Sequence, residues 1–215
     1  MPRRNRVDPW GDLAAVAGRG LLTGNRGCLV DDTERVVRYQ AGSRWISCTL
    51  RYRDQRSPLA APGRWTPLFF LDEAVALAAG HRPCARCRRE AYLAYRDAVG
   101  AALGAREPLS AADLDVRLAA ERRRRTSRRG DLGPTADRLL RPQSYADLPD
   151  GTVVLATGDV AHLVLGDELR PFTDAGWGLP VRRPRTGTAQ TLTPPTSYAA
   201  LTHGYRPLLS ASSSR

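Results

Sequence analysis

The sequence predicts an α+β protein: a small zinc-binding α/β module followed by a β-rich C-terminal unit. Apolar and polar residues alternate from Trp45 to Tyr52, the period of a half-buried strand, while helical stretches open on capping residues at Asp72 and Ser110. Between two of those helices lies the pair Cys84-x-x-Cys87, a spacing suited to one metal ion.

Residues 1–30 read as loop with one short helix at most, because Gly11, Gly18, Gly20, Gly24 and Gly27 punctuate a polar, basic stretch that ends at Cys28. Strands are expected at Arg35 to Tyr39 and Trp45 to Tyr52, joined as a hairpin through Gly42-Ser43; in the second, Ile46, Cys48 and Leu50 form one face, read as the inward one. After a loop with Pro58, Pro62 and Pro67, the apolar run Leu68 to Leu71 is a strand, and Asp72 caps a helix from Glu73 to Ala79 that Gly80 closes. The turn His81 to Cys87 leads into an amphipathic helix from near Arg88 that carries Tyr92, Leu93, Tyr95 and Val99. Ser110 caps another, with Leu114, Leu118 and Ala119, which dissolves into the run Arg122 to Arg129.

That run, with Gly130, Gly133 and Pro134, sets the expected boundary between domains 1–130 and 131–215. Beyond it, Pro149-Asp150-Gly151 introduces strands at Thr152 to Ala156, Ala161 to Leu165 and Glu168 to Phe172, the last two joined by Gly166-Asp167. A further strand is expected at Thr188 to Leu192 and a short helix at Ser197 to Thr202. Trp177 is expected to plug the β unit, and Ser210 to Arg215 to be a disordered tail.

The formal charge of +11 exceeds what solubility needs and points to a polyanionic partner, DNA first and RNA second. All 33 basic residues are arginine; codon bias explains arginine over lysine but not the shortage of Asp and Glu. No apolar run reaches the roughly 20 residues of a spanning helix and no signal peptide is evident, so a cytoplasmic location and no membrane contact are expected. In that reducing setting the four cysteines are metal ligands, reactive thiols or buried apolar residues rather than disulfides.

Cys84 and Cys87 supply two ligands and a closed zinc site needs four, so the predicted set is Cys28, Cys48, Cys84 and Cys87, with His81 as the alternative to Cys28 or Cys48. Each of those two also has a plain reading, Cys48 as a packed strand residue and Cys28 as the start of a strand. The stretch from Leu68 to Arg88, with its strand, Ala-rich helix, Ala79-Gly80 and Arg82-Pro83-Cys84-x-x-Cys87 knuckle, resembles the second half of the zinc-binding N-terminal domain of the Ada DNA-repair family. The resemblance implies zinc and DNA. That family's first two ligands lie close together, and one accepts a methyl group from a DNA phosphotriester. Here Cys28 and Cys48 are far apart, so methyl transfer is not carried over, although Cys48 is the candidate acceptor. The knuckle is also half of the zinc deaminase signature, but no H-x-E precedes it.

Arg82, Arg86, Arg88 and Arg89 surround the knuckle at a helix N-terminus and are the expected phosphate contacts, joined by Arg122, Arg123, Arg124 and Arg125. Trp10, Trp45 and Trp65 either stack on bases or fill the core. The function expected is zinc-dependent DNA binding, with damaged or modified DNA as a candidate target. The alternatives are a repair enzyme, a glycosylase or alkyl transferase with structural zinc, and a zinc-stabilised scaffold for an acidic protein. No catalytic residues are assigned.

Overall fold

In the computed structural model, residues 2–18, 20–33, 35–52, 65–122 and 139–210 are described. The first sheet has the order β2-β1-β5-β3-β4-β6, from β1 (Arg6–Val7), β2 (Leu13–Ala14), β3 (Leu22–Asn25), β4 (Ile46–Thr49), β5 (Leu68–Phe70) and β6 (Arg82–Pro83). Pairing is antiparallel except between β1 and β5 and between β4 and β6. Helix α1 (Glu73–Ala78) follows β5, α2 (Arg89–Ala102) follows the cysteine turn, and α3 (Ala111–Glu121) comes next.

A second, antiparallel sheet is built from β7 (Arg141–Ser144), β8 (Val153–Thr157), β9 (Val160–Leu165), β10 (Glu168–Thr173), β11 (Gly176–Trp177), β12 (Val181–Arg182) and β13 (Thr188–Thr191), before α4 (Pro195–Thr202). The class is therefore α+β with a β-rich second part.

Local rules account for the helices. Asp72 accepts the Val75 N–H at 3.1 Å as the N-cap of α1, and Gly80, at φ 86°, turns the chain out of it. Ser110 and Asp113 form a reciprocal capping box at the head of α3. Every residue of α1 is buried, which explains its small Ala-rich side chains: it packs against β5 on one side and β8 on the other. One core cluster consequently runs through both sheets, joining Val7, Leu22 and Phe70 to Ala74, Val75 and Ala78 and on to Val153, Leu163, Trp177 and Leu192. The other face of the second sheet buries Val154, Val164 and Leu169 with Tyr145. A separate cluster of Leu77, Tyr92, Tyr95, Val99, Leu114 and Leu201 holds the helices together.

The first thirty residues depart from the expected loop, since they supply β1, β2 and β3. Gly11 and Gly27, at φ 92° and 96°, do turn the chain, but Gly20 and Gly24 are points of close approach. A Cβ on Gly20 would lie 1.6 Å from the Phe70 carbonyl oxygen, and one on Gly24 would lie 2.1 Å from that of Ile46. The expected hairpin is corrected as well. β4 pairs with β3, in register Thr23 with Cys48 and Asn25 with Ile46, while Arg35 to Tyr39 contributes only a bridge from Val36 to Val30. Trp177 is buried, packs on Phe172 and donates from Nε1 to Asp72 Oδ2 at 2.7 Å, so it ties the second sheet to α1. Most of the expected arginine boundary and tail, residues 123–138 and 211–215, lies outside the described residues.

Gly24→Ala should lower stability by about 2 kcal/mol or more in urea denaturation, because the added methyl meets backbone rather than a flexible side chain. Gly100→Ala, on α2 with nothing near its Cβ, should be neutral or stabilising.

Candidate metal centre

Cys48, Cys84 and Cys87 bring their sulfurs within 4.8 Å of one another. Strand pairing accounts for this. β6 runs parallel to β4 with Ile46 opposite Arg82 and Ser47 opposite Pro83, and the Cys84 N–H donates to Ser47 O at 2.9 Å, which sets Cys84 beside Cys48. The chain then turns, with Arg88 N donating to Cys84 O at 3.0 Å, so that Cys87 folds back to the same point before α2 begins.

The backbone prepares the cluster for negative charge. The N–H groups of Arg86 and Cys87 donate to the Cys84 sulfur, and that of Thr49 to the Cys87 sulfur. Hydrogen bonds from Cys48 and then Cys87, with those N–H groups, hold the Cys84 thiol well below its ordinary range. The contact to Cys84, the contact to Cys87 and burial push Cys48 up. A cation bound by all three sulfurs displaces the protons they carry. The three cysteines can therefore hold a metal ion.

The face of β4 that carries Ile46, Cys48 and Leu50, expected to be the inward one, is the less buried of the two. Trp45 and Ser47 are the inward residues, Leu50 is exposed, and the three cysteines of the cluster are half-buried. Cys28 stands apart. Cys48 is opposite Thr23 near the start of β3, whereas Cys28 follows the far end of that strand and its thiol donates to Val30 O at 3.5 Å. His81 is also outside the cluster: it is fully buried between the rings of Trp45 and Phe70 and accepts from Arg26 Nε at 3.2 Å.

The arginines around the knuckle divide into two kinds. Arg82 is buried and makes a two-pronged contact with Asp115 of α3, both bonds 2.8 Å, and Arg88 does the same with Glu73 of α1 at 2.7 and 2.8 Å while also donating to Ser47 Oγ. Arg122 is buried over Trp45, 4.1 Å from the ring centre, and donates to the carbonyls of Gly80 and Ser43. Those three, expected on a phosphate backbone, are occupied inside the protein as clamps on the cysteine turn and the core. Arg86 and Arg89 are exposed, and the Arg86 guanidinium lies 5.6 Å from the centre of the Tyr52 ring. Arg123, Arg124 and Arg125 lie outside the described residues. Trp45, at 1% exposure, is core, while Trp10 and Trp65 are half-buried.

Sequence patterns missed Arg26 and Glu73. Arg26 is a fully buried guanidinium 3.9 Å from the centre of the Trp45 ring and 4.7 Å from that of Tyr39. Glu73 is equally buried and, besides Arg88, accepts from Tyr205 Oη and Leu208 N. Neither has a local signal, since each depends on partners far along the chain. His162 and His203 place Nδ1 near the carbonyls of Val160 and Ala199. No family model, no characterised protein and no solved structure matches the chain.

Asp115→Ala strips the carboxylate from a buried Arg82 beside the knuckle and should cost about 3–5 kcal/mol in urea denaturation. Asp97→Ala, whose partner Arg96 is on the surface, should change stability by less than about 1 kcal/mol.

Proposed function

We propose that the chain is a zinc-binding protein whose metal turn presents a basic surface to nucleic acid, DNA in the first instance. The convergence of Cys48, Cys84 and Cys87 carries this reading. Thiolates favour zinc among the divalent ions that need no redox change, and tetrahedral Zn–S bonds of about 2.3 Å space sulfurs by roughly 3.8 Å, a fit to the cluster. Bound there, the ion cross-links β4 to the turn between β6 and α2 and fixes Arg86 and Arg89 at the helix head.

Nucleic acid is favoured by the surplus of positive charge over the whole chain. Each buried pair, Arg82 with Asp115 and Arg88 with Glu73, removes one charge of each sign, so the surplus of +11 is undiminished by them. Arg86 and Arg89 stay exposed where the N–H groups of the first turn of α2 also attract phosphate. The likeness of residues 68–88 to the Ada zinc domain supports the same pairing of zinc with DNA.

Elemental analysis of protein purified without added metal should find about one zinc per chain. Cys84→Ser should abolish it and lower the melting temperature, whereas Cys28→Ser should leave both unchanged. A folded, metal-free wild type would reject the metal centre.

Binding to a short DNA duplex, followed by fluorescence anisotropy between roughly 50 and 200 mM salt, should weaken steeply. Arg86→Ala with Arg89→Ala should reduce the log–log slope by about 0.9 for each phosphate that the variant no longer neutralises. An unchanged slope would remove the knuckle from the interface.

A further inference from the structure

Building on the metal-centre reading, we propose that the ion at Cys48, Cys84 and Cys87 keeps a fourth, exchangeable position that takes an exogenous thiolate. The centre would then be a ligand-binding site as well as a cross-link. Each of the three cysteines is half-buried, so the cluster lies at the edge of the fold and not deep in its core. Among the described residues, no histidine, cysteine, aspartate or glutamate joins the three within 4.8 Å. The residues outside that set contain no cysteine or histidine.

Cys28 is held off by the strand register. Thr23 is the residue of β3 opposite Cys48, whereas Cys28 follows the end of that strand at Asn25 and the bend at Gly27, and its sulfur is not among those within 4.8 Å of one another. Three protein ligands with an open vertex is the arrangement of zinc sites that bind an exchanging ligand, whereas closed sites use four.

Charge and softness select the fourth donor. A divalent ion with three thiolates is a net monoanion, yet Arg51, Arg86 and Arg89 are exposed within three residues of a ligand cysteine, and Arg86 lies between two of them. That surround accommodates one further negative charge, and an ion chosen by thiolates prefers a soft donor over a hard carboxylate. Exchange is balanced: the metal–water bond breaks, a metal–sulfur bond forms, and the thiol proton passes to buffer.

The test uses the full chain loaded with Co²⁺, whose sulfur-to-metal absorption scales with the number of bound thiolates, titrated with 2-mercaptoethanol. A band of three-thiolate intensity should rise by about one third and saturate, the step from three sulfurs to four, with cobalt still on the protein after gel filtration. Cys28→Ser should give the same starting band and the same rise. A four-thiolate band at the outset that falls by about a quarter in Cys28→Ser would overturn the proposal. So would a band unmoved by the thiol, or cobalt stripped from the chain. Failure to take up cobalt at all would instead reject the metal centre beneath it.

Discussion

Two adjacent carboxylates at the head of α1, Asp72 and Glu73, are buried to within 1% of complete exclusion from solvent, and the rest of the structure is arranged to satisfy them. Asp72 accepts from Trp177 Nε1, Val75 N and Ser210 N at 2.7–3.1 Å. Glu73 accepts two bonds from Arg88, one from Tyr205 and one from the Leu208 N–H. A carboxylate in such a place is tolerated only with a complete set of donors, and even so burial raises Asp72 above the usual carboxylate range. The donors come from the second sheet, from the segment 205–210 and from the cysteine turn. The pair thus fixes how those three parts meet, and through Arg88 and Ser47 it also positions the strand and turn that carry the three sulfurs.

The sequence exposes what is local and hides what is not. Asp72 and Ser110 are legible as caps because their partners lie three residues away, and the strands from 153 to 173 are legible because their alternation is long enough to register. β1 and β2 have two residues each, too few for any period, and the glycines beside them resemble turns although Gly20 and Gly24 serve sheet packing. Cys84 and Cys87 are readable from their spacing alone. Cys48 is readable as a candidate, but its face is not, because the inward side of β4 is set by Trp45 and Ser47 against the core.

Arginine misleads most. A guanidinium near a helix head reads as a surface charge until its carboxylate is found, and Asp115 is 33 residues from Arg82. The stacked arginines carry a second lesson. Arg26 and Arg122 both lie over the ring of Trp45, at 3.9 and 4.1 Å from its centre, a use that needs a flat, weakly hydrated cation and that lysine fills poorly. A chain with no lysine therefore has, at these positions, a chemical reason for its choice in addition to any bias of composition.

The distances in sequence between Asp72, Glu73 and their donors bear on how the chain is made. Those donors stand 105 to 138 residues downstream, apart from Val75 and Arg88. While a ribosome is still translating the second sheet, α1 has its cap but not its lid, and both carboxylates remain hydrated. Contacts of such long range form late. The nascent first half keeps one side of its apolar helix uncovered until residues 205–210 have emerged to close over it.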